Sequence, residues 1–330
     1  MDTSIAVIIP TLNEENFISA CLDSIIQQTY PFEKMDIMVI DGGSTDKTRE
    51  IVGEYHTLYD NIRLIHNHGK IQSIAFNIGV TNSTAPYIIR LDAHVTYDKY
   101  YVEKCIDGLK ANQNIGNIGG KCIIHPANNT IWAQTNAILN HSKFGIGGAS
   151  FRVGTEAKEV DSVPFGAFPR KVVEHVGGMR EDLRRGEDNE YNSRIRKAGY
   201  QVFFDPTIVS TYYSRPTLRT SCKQMFANGE SIGTLMYIDS KAIGIRHFIP
   251  FLFVLFLIGG CVLSFLSNVI LHLYLIGIGL YFICDLLASI QASIKYGYKY
   301  IVPLFIMFFC VHISYGIGTI KGIVSYKKSN

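Results

Sequence analysis

Ile5-Ala-Val-Ile-Ile-Pro-Thr-Leu-Asn-Glu-Glu15 and Val39-Ile-Asp-Gly-Gly-Ser-Thr-Asp-Lys-Thr48 are the two stretches that decide the fold. Each begins as a short apolar run and breaks abruptly into polar residues, as a buried strand does where it meets a loop. Between them Phe17, Ile18, Cys21, Leu22 and Ile25 fall on one face of a helix, with Asn13 placed to cap it and Glu14 and Glu15 in its first turn. A second helix is predicted after Ser44-Thr45 to about Tyr55, and a third over Gln72–Val80. Ile62–Ile65 and Tyr87–Leu91 repeat the short apolar run. This alternation predicts an α/β fold on an open, mostly parallel sheet covered by helices.

Composition changes along the chain. The 330 residues are 47% hydrophobic and only 18% charged, where a soluble domain carries about 25% charge. The net charge of +3 is too small to point to nucleic acid, and no nucleic-acid partner is expected. From His247 onward the charges are Lys295, Lys299, Lys321, Lys327, Lys328 and a single acid, Asp285. Phe248–Leu266, Val269–Ile290 and Tyr300–Ile320 are apolar over the roughly 20 residues that cross a bilayer core. The expected organisation is a cytoplasmic catalytic domain over 1–240 and a membrane region over 241–330 with two to three spans, hence a multi-pass protein of the cell membrane. Lys241 and Arg246 before the first span, with Lys295 and Lys299 after the second, put both places inside by the positive-inside rule. Three full crossings would then put Lys321, Lys327 and Lys328 outside, so either that rule is beaten or one segment is re-entrant or interfacial. The seven cysteines form no CxxC and read as reduced, buried thiols. Ile5–Ile9 is too short and lacks the basic flank of a secretion signal, so the N-terminal part is expected to stay in the cytoplasm.

Ligands of open α/β sheets bind beyond the carboxyl ends of the strands, and three polar clusters fall there. Pro10, Thr11, Asn13, Glu14 and Glu15 follow the first strand, Asp41-Gly-Gly43 the second, and Asp92-Ala-His94 the fourth. A carboxylate such as Asp41 can accept hydrogen bonds from a ribose or a base, Gly42-Gly43 permits a tight turn, and Thr11 and Glu15 are placed to meet the base. Asp92 suits a hard divalent cation bridging phosphates, and the His94 imidazole tolerates Mn²⁺. Gly186-Glu187-Asp188 opens a helix marked by Tyr191, Ile195 and Ala198, and Asp188 can take a proton from an attacking hydroxyl. Neither a phosphate-binding P-loop nor a dinucleotide fingerprint is present. Gly145, Gly147 and Gly148 follow no strand and read as a mobile loop, and Asp285 reads as a solvated or helix-paired acid near a span's inner end rather than a transport residue.

These motifs in this order resemble glycosyltransferase family 2, inverting enzymes of the GT-A fold, over roughly residues 4–235. The closer likeness is to succinoglycan-type exopolysaccharide glucosyltransferases. It rests on Asp92-Ala-His94, Val163-Pro-Phe-Gly-Ala-Phe-Pro-Arg170, Val176-Gly-Gly-Met, Tyr213-Ser-Arg215 and Gln224-Met-Phe-Ala-Asn-Gly229. The resemblance implies the GT-A nucleotide-diphospho-sugar transferase fold. It implies nucleotide contacts, to uridine, from Pro10, Thr11, Asn13, Glu15, Asp41, Gly43, Lys70 and Asp92. It also implies a divalent metal, Mn²⁺ or Mg²⁺, at Asp92 and His94, and Asp188 as base. Asn77, Phe165, Gly166, Ala167, Phe168, Glu187 and Arg215 would line the donor and acceptor pocket, and Gly79 matches the donor-side segment. The family's usual metal motif ends in a second carboxylate where this chain has His94. The Gln-x-x-Arg-Trp of processive synthases is absent, the only tryptophan being Trp132, which implies one sugar added per acceptor.

The expected activity is inverting transfer of a hexose, glucose by the resemblance, from a nucleotide diphosphate sugar to a polyprenyl-linked glycan at a membrane. Such a chain has the nucleotide sugar donor, the lipid-linked acceptor and membrane lipid as partners. Two alternatives stay open. One is a polyprenyl-phosphate glycosyltransferase, for which Arg215, Arg219 and Arg246 supply cations near the membrane junction. The other is a non-catalytic membrane scaffold.

Overall fold

A computed structural model of the chain describes residues 4–329. The elements in order are β1 (Ile5–Thr11), α1 (Ile18–Ile26), β2 (Met35–Asp41), α2 (Thr48–Leu58), β3 (Ile62–His66), α3 (Gln72–Thr81), β4 (Tyr87–Arg90), β5 (Val95–Tyr97), α4 (Tyr101–Ala111) and β6 (Ile115–His125). There follow α5 (Ile131–Asn140), α6 (Lys143–Ile146), α7 (Ser150–Val153), β7 (Lys158–Glu159), β8 (Ala167–Pro169), α8 (Arg170–Val176), α9 (Glu187–Lys197) and β9 (Gln201–Tyr213). The last four helices are α10 (Leu218–Ile238), α11 (Phe248–Leu263), α12 (Asn268–Ile294) and α13 (Ile301–Ser329).

The sheet runs β3-β2-β1-β4-β8-β6-β9-β5, with β7 on β9. Its first half is the parallel βαβ arrangement expected: β1 lies between β2 and β4, with Ile5 opposite Met35 on one side and Tyr87 on the other. All of Ile5–Ile9 is fully buried, which is why this run is apolar throughout rather than alternating. α1 buries Ile18, Cys21, Leu22 and Ile25 of the face the spacing predicts, while Phe17, just before it, is exposed. From β8 on, the pairing turns antiparallel, β8 against β4 and β5 against β9. The result is a GT-A-like α/β body whose parallel strand ends, at Thr11, Asp41 and Arg90, open to one side.

The chain forms two compact units that do not follow a single cut at residue 240. One runs up to Ile123 and resumes over Gly154–Tyr212; the other takes Ile124–Val153 and everything from Tyr213 on. In the second unit α5 joins the C-terminal helices through Ile138 and Leu139, packed with Leu304, Met307 and Phe308 of α13. The glycine-rich segment expected as a loop is instead the two short helical turns α6 and α7, joined through Gly147 and Gly148 at positive φ. Three stretches, Ile245–Leu263, Asn268–Ile294 and Tyr298–Lys327, are long and apolar enough to cross a membrane. Asp285 is fully buried and accepts from Ser289, so it is not solvated. All seven cysteines are free; Cys21, Cys105 and Cys122 are buried as expected, whereas Cys261 and Cys284 are exposed on α11 and α12.

Candidate active site

The loop after β1 and the loop after β2 are laced together. Asn13 Oδ1 accepts from the Thr45 amide at 2.8 Å, the Asn13 amide donates to Ser44 Oγ at 2.9 Å, and the Glu14 amide to Thr48 Oγ1 at 2.8 Å. Asn13 is therefore not the cap of α1, which begins at Ile18 without a side-chain cap. Glu15 faces the start of α2, its Oε2 accepting from the Lys47 amide at 3.0 Å. Asp41 is 1% exposed, and both its oxygens accept from the loop, from the Gly43 amide at 3.0 Å and the Ser44 amide at 3.1 and 3.2 Å. It shapes the turn that presents Gly42 and Gly43. Pro10 sits in β1 opposite Ile40, and Thr11 Oγ1 donates to Ile9.

A third loop converges here. Asn67 Oδ1 accepts from the Gly69 and Lys70 amides at 3.0 and 3.2 Å and holds Lys70 at φ 60°. A Cβ placed on Gly42 would lie 3.4 Å from Lys70 Cα and 3.5 Å from the Thr11 carbonyl, and one on Gly43 3.9 Å from Lys70 Cε. The ends of β1, β2 and β3 thus meet around these glycines, with the lysine over them. Asn77 does not reach this place. Its amide spans to Met179, accepting from the amide at 2.8 Å and donating to the carbonyl at 2.9 Å, so it braces α3 against the 177–181 loop. Gly79 lies against Ile8, where a Cβ would come within 2.5 Å.

Beyond β4 the acids are joined by a residue the sequence did not single out. Arg90, 7% exposed, donates to Asp92 at 2.9 Å and to Gln72 at 2.7 Å and lies 3.7 Å from Glu187. Burial alone would pull the guanidinium's pKa down, but Asp92, Glu187 and Asp188 around it win and hold it above its ordinary value. Burial, then the neighbouring Asp188, push the Glu187 carboxyl up to about 7 against the pull of Arg90. Glu14 is the second residue missed: its Oε1 lies 2.9 Å from His94 Nδ1. Two adjacent glutamates look alike in sequence, and only the loop geometry tells which one turns to the histidine.

Asp188 stands in the first turn of α9, just after Gly186 at φ 82°. It lines a small pocket with Arg90, Asn117, Phe165, Gly166 and Phe168. Phe165 is held at φ 49°, its carbonyl accepting from Tyr101 Oη at 2.6 Å. Ala167 and Phe168 form β8, and the Phe168 ring packs edge-on against Phe76 and Tyr191. Asn117 donates to Asn192 at 2.7 Å, and Asn192 to Ser162 at 3.1 Å, a buried amide chain that ties α9 to the wall of the pocket. Arg215 belongs to the second unit, where its carbonyl accepts from Asn136 at 3.0 Å.

Among the described residues no three histidine, cysteine, aspartate or glutamate side chains gather as a ready metal site. The donors present still suit a cation that binds mainly through a ligand's phosphates, for which one or two carboxylates suffice. Asp92 supplies one, and the Glu14–His94 pair has the form of a carboxylate that orients an imidazole.

An α/β body with polar loops at its parallel strand ends and a carboxylate at a helix start is the arrangement of the GT-A class. Residues 6–177 match the family described as Glycosyl transferase family 2, and the chain belongs to that family. It is 28% identical over 98% of its length, and 99% of the relative's, to the dolichyl N-acetyl-alpha-D-glucosaminyl phosphate 3-beta-D-2,3-diacetamido-2,3-dideoxy-beta-D-glucuronosyltransferase of Methanococcus voltae. It is 28% identical to the succinoglycan biosynthesis protein ExoA of Rhizobium meliloti, covering 75% of this chain and 74% of that one. Among solved structures it resembles the mannosyltransferase PcManGT of Pyrobaculum calidifontis in complex with GDP-Man and Mn²⁺. There the TM-score is 0.61 at 17% identity over 96% of this chain and 87% of that one. It also resembles S. aureus TarS 1-349 in complex with UDP-GlcNAc, with a TM-score of 0.54 at 14% identity over 99% and 93%. The protein is a glycosyltransferase whose relatives serve lipid-linked and polysaccharide biosynthesis.

Proposed function

We propose that the protein transfers one hexose, with inversion, from a nucleotide diphosphate sugar to a polyprenyl-linked glycan at the cytoplasmic face of the cell membrane. The observation that carries this is the Arg90 network, which brings Asp92, at the end of β4, and the start of α9 with Asp188 to one buried guanidinium. The relation to the Methanococcus voltae enzyme over nearly the whole of both chains supports a lipid-linked sugar as acceptor. The likeness to ExoA, a succinoglycan biosynthesis protein, supports a place in polysaccharide biosynthesis.

In this reading the loops around Thr11, Gly42-Gly43 and Lys70 hold the nucleotide. Asn13, Glu15 and Asp41 act through the loops they fix, and the Lys70 ammonium is available to the phosphates. Asp92 and His94 would hold a divalent cation, Mn²⁺ or Mg²⁺, which when bound neutralises charge on the leaving diphosphate. Asp188 accepts the proton of the acceptor hydroxyl as that oxygen attacks the anomeric carbon, so the bond to the diphosphate breaks on the opposite face. Phe165, Gly166 and Phe168 exclude water from that pocket. Arg90 keeps the carboxylates of Asp92 and Glu187 apart in role while holding them together in space. Arg215 is the proposed cation for the acceptor's lipid side.

The test is a donor screen with membranes containing the full chain, Mn²⁺ and a lipid-linked oligosaccharide, followed by linkage analysis of the product. A single added hexose of inverted configuration supports the proposal. An acid-labile product from polyprenyl phosphate alone would replace it with the polyprenyl-phosphate reading. No turnover of any nucleotide sugar would leave the scaffold.

A further inference from the structure

The three apolar helices of the second unit are not equivalent. In α11 and α12 only 6% of the most apolar window is buried, against 33% in α13. The exposed faces of α11 and α12 are predominantly apolar, with Leu252, Ile258, Val262, Leu273, Ile276 and Leu280 among the exposed side chains. The two pack on each other as a hairpin, Gly260 against the Tyr274 ring and Phe253 stacked on Tyr281 at 4.0 Å. The turn between them, Ser264–Asn268, carries no charge.

α13 packs on the hairpin, with Phe305 and Phe309 against Phe282 and His312 bonded to Tyr281, and it is also held along its length by residues outside α11 and α12. Tyr300, just before it, bonds Gln134 of α5; His312 bonds the Phe144 carbonyl of α6; Tyr315 bonds His247; and Lys321 pairs with Glu230 of α10 at 2.9 Å. From Tyr300 to Lys321 is about 30 Å of helix, the thickness of a bilayer core. A crossing helix would leave those two residues at opposite surfaces. Instead His247, one residue before α11 begins, fixes Tyr315 at the level where α11 enters the membrane. Ile301–Ser314 then remains, about 21 Å of helix, too short to cross.

The other half of α13 is committed to α10. A Cβ on Gly229 would fall 2.0 Å from the Tyr315 carbonyl, and one on Gly322 2.0 Å from the Glu230 carbonyl, so the two backbones touch. α10 carries Arg219, Lys223 and Glu230. Placing α13 there in hydrocarbon would drag those charges with it, at about 2.5–3.5 kcal/mol each even on the mildest scale.

We infer that, among the described residues, the α11–α12 hairpin alone crosses the bilayer, and that α13 lies at headgroup level against α5 and α10 with its end on the α10 side. The inference rests on the membrane reading above and removes its charge conflict. Lys241, Arg246, Lys295, Lys299, Lys321, Lys327 and Lys328 all fall on one side, as the positive-inside rule requires.

The test uses the full chain with an epitope tag at each end, in sealed right-side-out and inside-out vesicles treated with protease. Both tags should be cleaved in the same vesicle type and protected in the other. Asn268→Cys, read against the native cysteine background, should react with a membrane-impermeant maleimide only from the opposite face. A C-terminal tag cleaved from the face opposite the N-terminal one overturns the inference, as does Asn268→Cys labelling from the face of both tags. Release of the chain by alkaline carbonate would instead refute the membrane reading itself, and is scored separately.

Discussion

Gly166→Ala tests whether the wall of the pocket positions Asp188. The backbone at 166 is not in the left-handed region, so alanine meets no φ penalty and the effect is steric. Its Cβ would fall 2.0 Å from Asn117 Oδ1, 2.7 Å from Cγ and 2.8 Å from Nδ2, all well inside ordinary contact of about 3.5 Å. Asn117 is 1% exposed and has little room to retreat, and its retreat breaks the 2.7 Å bond to Asn192, one turn along α9 from Asp188. Overpacking costs about 1–3 kcal/mol. Leaving the Asn192 oxygen unpaired adds about 1–3 kcal/mol. The expected stability loss is therefore about 2–6 kcal/mol, read as a lower Tm of the detergent-solubilised protein. Because about 1 Å of misplacement costs on the order of 100-fold in rate, kcat should fall by that order. The donor KM should change little, since the nucleotide loops lie on β1 and β2. Asn117→Ser in the same chain makes space for the methyl and should recover part of the Tm. A Gly166→Ala protein with the parent's Tm and kcat would refute the reasoning outright.

Asp188→Asn should lower transfer by about 10²–10⁴-fold with the Tm preserved; initial rates near the parent's would remove Asp188 as base. Glu187 supplies a pH dependence. Its folded-state value of about 7 stands above the ordinary 4.5, so the folded chain holds the extra proton between them. This contribution is fully present below about pH 4.5 and is lost as the pH rises through about 7, about 3 kcal/mol in all. Glu187→Gln should flatten that part of the Tm–pH profile, and an unchanged profile would argue against the assignment. Glu14→Gln weakens the brace on His94 and should raise the Mn²⁺ concentration giving half-maximal rate by about 10–100-fold; an unshifted metal titration would leave Glu14 with a structural role only.

The parallel half of the fold was legible because its strands are buried on both faces and its helices on one. Burial writes itself as apolar runs and 3.6-residue spacing, and α3 and α9 begin within a residue or two of where that spacing puts them, whereas α1 begins at Ile18, about a turn after the cap expected at Asn13. The antiparallel half was not. β5 and β8 have three residues each, too few for a period, and in β6 Gly116, Gly119 and Gly120 interrupt the apolar pattern. Those glycines are there for close packing: a Cβ on Gly120 would lie 1.9 Å from the Ile208 carbonyl. Arg90 escaped notice because it closes an apolar run and looks like the strand's solvent end. A cation inside such a run, two residues before an acid, is the signal that was present. The segment 124–153 joins the C-terminal helices through contacts far apart in sequence, which no local pattern carries.

The loops of the first unit share one further property. Asn13, Lys70 and Phe165, at φ 55°, 60° and 49°, are the only non-glycine residues with positive φ among the described residues, and each sits in a different loop around the candidate site. A conformation of this kind costs about 1–3 kcal/mol and survives only where surrounding bonds over-determine it. Each residue has such bonds: Ser44 and Thr45 on Asn13, Asn67 on Lys70, Tyr101 on the Phe165 carbonyl. Glycine would relieve the strain at all three positions, yet the chain keeps an amide, an ammonium and an aromatic ring there. The side chain at each place therefore outweighs the backbone cost, which is the expected balance where a loop must present a group to a ligand in a fixed pose. The loops around the candidate site are accordingly over-determined by their own hydrogen bonds, and they set the geometry into which the Arg90 network brings the acids.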